Sequence, residues 1–232
     1  MTPRASAAKL KPAYKNSTAK AANQGTSHPL AQRVAHGFLI TRDAIANLRE
    51  LISENSRMAF LAVKDCEREL DRLEREIDEE LPQAITGTDE ATARELISSL
   101  RFVTDLERIG DLVWWVAQCV SEPNPPLPAK QGAQIEAMAK ILESMVAQIH
   151  EGLIQHDAAA ASVVLRVDAD MDRLRQTIFR EQLSGSRSTL RMDIIMMAQS
   201  LERAGDHATN LAEELVHLVE HRSIRHTQKK RS

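Results

Sequence analysis

Apolar residues recur every three or four positions along most of the chain, which is the spacing of one face of an α-helix. This pattern predicts six helices, at about 30–55, 57–81, 90–120, 131–155, 158–183 and 188–221. Pro82 and the polar segment after it are expected to end the second helix, and Gly185 is expected to separate the last two. Thr88 or Asp89 can cap the third helix, and Asp157 can cap the fifth.

A proline-rich segment divides these helices into two sets of three. Residues 121–130 read SEPNPPLPAK, with four prolines, which is typical of a stiff linker. ERELDRLEREI at 67–77 aligns with DADMDRLRQTI at 168–178, and LERIGD at 106–111 aligns with LERAGD at 201–206. Because both matches occur in the same order, the sequence predicts an all-α protein of two tandem three-helix bundles related by internal duplication.

The first repeat is placed at 30–121 and the second at 131–221, with a linker at 122–130. Basic tails at 1–29 and 222–232 flank them. The first 33 residues carry six Lys or Arg and no acid, so all 33 acids of the chain lie further along. Such tails are expected to be disordered and could touch a membrane surface. An acidic body with basic ends does not indicate a nucleic-acid-binding protein.

Composition excludes several classes of protein. Eight glycines and eight prolines in 232 residues are too few for the many turns of an all-β sandwich or barrel. No apolar run approaches the roughly 20 residues that a membrane-spanning helix needs, and the first residues lack the apolar stretch of a secretory signal. Two cysteines cannot form a disulfide framework, so Cys66 and Cys119 are interpreted as reduced core residues of a cytoplasmic protein, with metal ligation as the alternative.

The candidate chemistry lies in acids spaced four residues apart, which project side by side from a helix. The four pairs are Glu67 with Asp71, Glu107 with Asp111, Asp168 with Asp172, and Glu202 with Asp206. On a helical wheel the Glu107 and Glu202 pairs fall inside the apolar stripe of their helices, whereas the other two pairs border it. The sequence therefore predicts that the third and sixth helices turn carboxylates inward, where an uncompensated charge is costly.

Two kinds of compensation are possible. Arginines such as Arg75, Arg108 and Arg203 could form salt bridges, which would make the protein a metal-free helical scaffold. Alternatively a cation could bind between paired helices, and carboxylate oxygens suit Mg, Mn, Ca or oxidised Fe, with Zn also possible. Gly110 and Gly205, inside their helices at equivalent positions, suggest a close helix contact beside the acids.

These duplicated motifs resemble the PhoU family: an acid–x–x–x–Asp pair on the middle helix of each repeat, followed by L-E-R-x-G-D on the third. The resemblance covers about residues 30–221 and excludes the tails. It implies a cytoplasmic, usually dimeric negative regulator of phosphate homeostasis. Such proteins restrain uptake by the Pst transporter and hold a PhoR-type sensor kinase in its repressing state.

The resemblance also implies that the eight acids bind metal clusters, most often iron or zinc. The two halves depart from the family unequally. The second half keeps His207, Ala208 and Asn210 after its Asp, whereas the first half does not, and Arg175 stands where the first half has Glu74. The halves are therefore expected to bind metal unequally. His207 projects away from Asp206, so it is expected at the surface or at an interface.

No catalytic motif appears, so the protein is not expected to be an enzyme. The sequence contains no phosphate-binding glycine loop, no C-x-x-C and no H-E-x-x-H. The enzyme alternative is a ferritin-like di-metal oxidase, which requires two Glu-x-x-His motifs in one bundle. The chain offers Glu214 with His217 alone, on the final helix.

Overall fold

The computed structural model describes residues 29–121, 126–184 and 190–220, and this part of the chain is built from helices without a strand. Six helices follow the predicted order closely. They are α1 (Pro29–Glu54), α2 (Arg57–Ile85), α3 (Glu90–Ser121), α4 (Ala129–Gln155), α5 (Ala159–Ser184) and α6 (Met192–Glu220). The predicted tails, residues 122–125 of the predicted linker and the predicted break at Gly185 lie outside the described residues.

Polar side chains fix where several helices begin. Asn55 adopts a left-handed backbone with φ of 51° between α1 and α2, and the Ser56 hydroxyl then accepts a backbone N–H of the first turn of α2 at 3.2 Å. As predicted, carboxylate oxygens of Asp89 and Asp157 accept backbone N–H groups at the start of α3 and α5, both at 2.8 Å. These bonds satisfy donors that have no partner within the helix.

The prediction that Pro82 ends α2 is wrong, because the helix continues to Ile85. Proline removes one helical hydrogen bond, and here the carbonyl that loses its donor belongs to the exposed Asp78, where water can replace it. The helix ends instead at Thr86, which is extended, followed by Gly87 with φ of 80°. Glycine adopts this left-handed conformation without steric cost, so it supplies the stop one turn later.

Packing confirms two tandem three-helix bundles. Helices α1, α2 and α3 contact one another, as do α4, α5 and α6, and the two bundles meet where α1 packs on α4 and α3 packs on α6. Apolar burial continues across this seam: the Phe38 ring stacks on His150 at 5.4 Å and lies 5.9 Å from Phe102. The repeats therefore share one hydrophobic core, and their outer helices α2 and α5 lie on opposite sides of it.

Charged pairs span the same seam. Arg49 of α1 donates to Glu143 at 2.7 Å and to Glu136 at 3.1 Å, both on α4. Glu214 of α6 is buried and accepts from Ser98 at 2.6 Å and from Arg101 at 3.0 Å, both on α3. Because charge-assisted hydrogen bonds are directional, these contacts fix the register of one repeat on the other.

Two further expectations concern cysteine and the membrane. Cys66 and Cys119 are not joined in a disulfide, and both are partly buried against the core. Burial raises the pKa of Cys66 to about 11, so this thiol stays protonated at neutral pH. Within the described ranges, no helix is long and apolar enough to cross a membrane.

Candidate functional site

The first group of predicted acids lies on the packed helices α2 and α3. We call it the first acidic face, and it consists of Glu67, Asp71, Glu107 and Asp111. Gly110 explains how the two helices approach: a Cβ at this position would lie 2.6 Å from Cδ1 of Leu70. Because Leu70 lies between Glu67 and Asp71, the contact brings the acids of α2 beside those of α3. The predicted close helix contact is confirmed here.

Glu107 is the most buried acid of this face, with 8% of its surface exposed. Its Oε2 is buried and has no hydrogen-bond partner in the described part of the chain, although Nε of Arg108 lies 3.5 Å away. Burial, reinforced by the negative charge of Asp111, raises the pKa of Glu107 to about 7. Without a cation, this carboxyl therefore holds its proton close to neutral pH.

Glu67, on the neighbouring helix, responds to the same negative charges. Burial raises the pKa of Glu67, and the charges of Asp111 and Asp71 add to the effect. The charges of Asp71 and Asp111 thus disfavour ionisation of Glu67, and the charge of Asp111 does the same to Glu107, although these acids come from two different helices. A positive ion placed among them would reverse this penalty.

The prediction that Asp111 points inward with Glu107 is wrong. The Asp111 side chain is 46% exposed and lies 3.7 Å from Arg108, and Asp71 is equally exposed and accepts from Arg75 at 2.9 Å. Asp111 lies 40° further around the helix than Glu107, which places it at the edge of the buried stripe. In the first acidic face Glu107 is therefore buried, whereas Asp71 and Asp111 form a solvent-exposed rim.

The second acidic face lies on α5 and α6, and it consists of Asp168, Asp172, Glu202 and Asp206. Burial raises the pKa of Asp168, and the charges of Asp172 and Asp206 add to it. The pKa of Glu202 is raised by burial and then by Asp206. The structure thus brings all four acids within electrostatic reach of one another. Asp206, however, is exposed, so the prediction that it is buried is wrong for the same geometric reason as for Asp111.

Glu202 is compensated in a way that Glu107 is not. The Gln199 amide donates to Glu202 at 2.6 Å, and Nε of Arg175 lies 3.6 Å from its other oxygen, which lowers the pKa of Glu202 against the effect of burial. In the first repeat the position of Arg175 is held by Glu74, whose charge raises the pKa of Glu107 further. The two faces therefore differ in charge, although their acids align.

Gly205 makes a looser contact than Gly110. A Cβ at Gly205 would lie 3.5 Å from Met171 and 3.7 Å from Oδ1 of Asp168, which are ordinary van der Waals distances. The tight helix contact predicted from the duplicated glycine is thus found in the first repeat, whereas the second repeat could accommodate a methyl group.

The type of donor atom on these faces suits a metal ion, although the donors are not arranged as a complete coordination site. Within residues 29–121, 126–184 and 190–220, no three His, Cys, Asp or Glu side chains are gathered closely enough to hold an ion. The donors are nevertheless hard oxygens that repel one another, and Oε2 of Glu107 is buried without a hydrogen bond. The side chains of the rim acids would have to rearrange to share one ion.

Sequence reasoning missed the polar contacts between repeats. His207, expected at a surface or an interface, bonds through Nδ1 to Asp105 of α3 at 2.8 Å. Glu214, the acid of the Glu-x-x-His motif, binds Arg101 and Ser98 instead of facing a second such motif. No periodic signal could reveal these pairs, because each joins residues more than 100 positions apart.

A family comparison agrees with the internal repeat. The PhoU domain model matches residues 35–120 and again residues 135–215. A phosphate-specific transport system accessory protein PhoU homolog of Pseudomonas aeruginosa is 30% identical over 201 residues, which cover 83% of both proteins. A homolog of the same description from Xylella fastidiosa is 30% identical over 215 residues, 80% of this chain and 90% of the relative.

Solved structures share the same architecture. The crystal structure of PhoU from Pseudomonas aeruginosa superposes with a TM-score of 0.76 and 24% identity, covering 83% of this chain and 96% of that one. The crystal structure of the phosphate transport system regulatory protein PhoU from Streptococcus pneumoniae superposes with a TM-score of 0.74 and 18% identity, covering 84% of this chain and 95% of that one. At these identities the similarity establishes the fold.

Proposed function

The chain belongs to the PhoU family, and on that premise we propose that it is a regulator that restrains phosphate uptake and phosphate-responsive signalling. Its relatives are described as accessory proteins of the phosphate-specific transport system, and the match to them extends over most of both repeats. The proposed partners are the Pst transporter ATPase and a PhoR-type sensor kinase. The proposed working form is a homodimer in the cytoplasm. Light scattering on the purified protein would test whether it is a dimer.

We further propose that each acidic face holds metal ions, iron or zinc by family resemblance and magnesium or manganese by donor chemistry. The observation that carries this proposal is Glu107, a buried carboxylate whose Oε2 lacks a hydrogen bond and whose neighbours are also acids. A bound cation would supply positive charge and tie the two helices of the face together. Glu107 and Glu67 are the inner donors of the first face, and Asp71 and Asp111 are its rim donors.

In the second face the inner positions are held by the half-buried Asp168 and Glu202, whose pKa values are both raised by loss of solvent. Arg175 and Gln199 already provide part of the compensation for Glu202. We therefore expect the second face to bind metal more weakly than the first. Neutralising the faces would fix the outer helices α2 and α5 and so shape a surface for the partners.

The regulatory proposal is tested by gene deletion. A deletion strain grown in phosphate-rich medium is expected to produce alkaline phosphatase constitutively, and the wild-type gene should restore repression. A Glu107→Gln, Asp111→Asn double variant should restore it incompletely if metal matters, whereas Glu50→Gln, on an exposed part of α1, should restore it fully. Unchanged repression in the deletion strain would contradict the proposed function.

A metal-free scaffold is the second candidate, and it is favoured by the arginines beside both faces. Arg108 lies near Glu107 and Asp111, and Arg175 lies near Glu202. These distances of 3.5–3.7 Å are long for ion pairs that would carry the whole compensation. Chelation followed by a melting curve separates the two candidates, since a scaffold would melt at the same temperature. No contact in the described residues favours the oxidase alternative.

A further inference from the structure

Two cavities lie side by side at the seam between the repeats, away from both acidic faces. The first has a volume of about 230 Å³ and is largely apolar, with Val34, Phe102 and Leu153 in its wall. The second has a volume of about 270 Å³ and is lined by Arg94, Ile97, Ser98, Arg101, His217 and Leu218. Ser98 and Leu218 belong to both walls, so the cavities adjoin along α3 and α6.

The second cavity is rich in positive donors. Arg101 uses a single nitrogen, Nη1, for both of its contacts with the buried Glu214 carboxylate, which also accepts from Ser98. This arrangement holds the guanidinium in place and leaves its other donors for a ligand. Arg94 adds a second guanidinium, whose partner Glu90 is a highly exposed residue of the same helix and competes weakly.

His217 contributes a third donor. Its Nδ1 is buried and meets no hydrogen-bond partner in the described part of the chain. An imidazole N–H can donate to an anion, and His217 lines the cavity with a ring nitrogen that no described group occupies. Both residues of the Glu214–His217 motif therefore contribute to this cavity. Glu214 holds Arg101 in its wall, and His217 lines the same wall.

The two cavities complement each other chemically. The first offers apolar walls, and its one acid, Glu95, disfavours a negative group there. The second offers two guanidinium groups and an imidazole. Either cavity alone is small for a ligand site, but together they fall within the usual range of roughly 300–1,000 Å³. Ligand sites also form preferentially between domains, as this one does between repeats.

We propose that the adjoining cavities form one binding site for a small amphiphilic anion, with an apolar chain in the first cavity and an anionic head against Arg94, Arg101 and His217 in the second. The head is a carboxylate or a phosphate monoester, because both accept bidentate hydrogen bonds from arginine. No residue that lines this site belongs to either acidic face, so the proposal does not rest on metal binding.

The test is calorimetric titration of the full-length protein with octanoate. Octanoate is expected to bind saturably at one site per chain. Acetate, which has the head alone, octanol, which has the tail alone, and octylammonium, which has the opposite charge, should each bind at least about tenfold more weakly. Octyl phosphate compared with octanoate distinguishes the two head groups. Absence of saturable binding of both anions, or equal binding of octylammonium, would overturn the proposal.

Two variants locate the site. Arg94→Gln removes one head-group donor and should weaken octanoate binding about tenfold, whereas Arg166→Gln, an exposed residue of α5, should leave it unchanged. Ala35→Phe should fill the apolar cavity and weaken octanoate binding, while the weak binding of acetate stays unchanged. Circular dichroism checks that each variant is folded. If Arg94→Gln and Ala35→Phe, both folded, bind octanoate as the wild type does, the site is wrong.

Discussion

Glu107 makes the stability of the metal-free protein depend on pH in a calculable direction. Its pKa is about 7 in the folded protein and about 4.5 when unperturbed, because burial and Asp111 disfavour the charged form. Between these values the folded protein keeps the proton that the unfolded chain releases. The free energy of unfolding therefore falls as pH rises from about 4.5 to about 7, and the loss is complete above that window.

The size of the effect follows from the same pKa values. At about 1.4 kcal/mol per unit of pH, the interval of about 2.5 pH units corresponds to about 3–4 kcal/mol, an upper figure because rearrangement and water entry relieve part of the penalty. Glu107→Gln keeps the shape of the side chain and cannot ionise. The metal-free variant should therefore be more stable than the wild type by about 1–3 kcal/mol near pH 8, and should match it near pH 4.5.

The assay is urea unfolding followed by circular dichroism, with a chelator present and at several pH values. Comparing variant with wild type isolates Glu107 from Glu67, Asp168 and Glu202, whose pKa values are raised in the same direction. Glu50→Gln, at an exposed position, is the control and should leave the pH profile unchanged. If Glu107→Gln is no more stable than the wild type near pH 8, the carboxylate is not buried at a cost, and the reasoning fails.

Three further predictions concern packing, the seam and metal. Gly152→Ala should lower the free energy of unfolding in urea by about 1–3 kcal/mol, because its Cβ would lie 2.7 Å from Cβ of Ala160 and 2.9 Å from the backbone oxygen of Asp157. Gly205→Ala, whose Cβ would lie 3.5 Å from its nearest neighbour, should be neutral or stabilising by up to about 1 kcal/mol. Equal losses of stability in the two variants would contradict this packing. Arg49→Met should lower the free energy of unfolding by about 1–3 kcal/mol. A double-mutant cycle with Glu143→Gln should show that the two residues are energetically coupled, and additive effects would contradict this contact. Chelation of metal from the purified wild type should lower its melting temperature, and an unchanged curve would favour the scaffold.

Helical periodicity predicts most of the fold because each helix buries one face along its whole length. The bounds of α1 and α3 agree with the predicted ones within about a residue, and the duplicated motifs predict the two three-helix bundles. Pro82 was misjudged since a proline near an exposed helix end costs little. The sequence does not reveal the tight packing at Gly152, because its close neighbours come from the following turn, from α5 and from α6, which periodicity does not join to α4.

The sequence predicts which acids form the two faces, but it predicts only partly which of them are buried. A helical wheel gives the direction of each acid, and it places Glu107 correctly inside the core. It does not give how far around the helix the neighbouring helices cover that face, so Asp111 and Asp206, which lie 40° beyond Glu107 and Glu202, are predicted inside but lie outside. Contacts such as His207 with Asp105 depend on how the repeats dock, which no local pattern contains.

The most direct test of the proposed metal centre is the metal content of the purified protein, measured by inductively coupled plasma mass spectrometry without added metal. The wild type should carry at least one ion per chain. Glu107→Gln with Asp111→Asn should remove more of it than Glu202→Gln with Asp206→Asn, because Arg175 already compensates the second face. A wild type without bound metal, or a first-face variant that keeps its full content, would contradict the account.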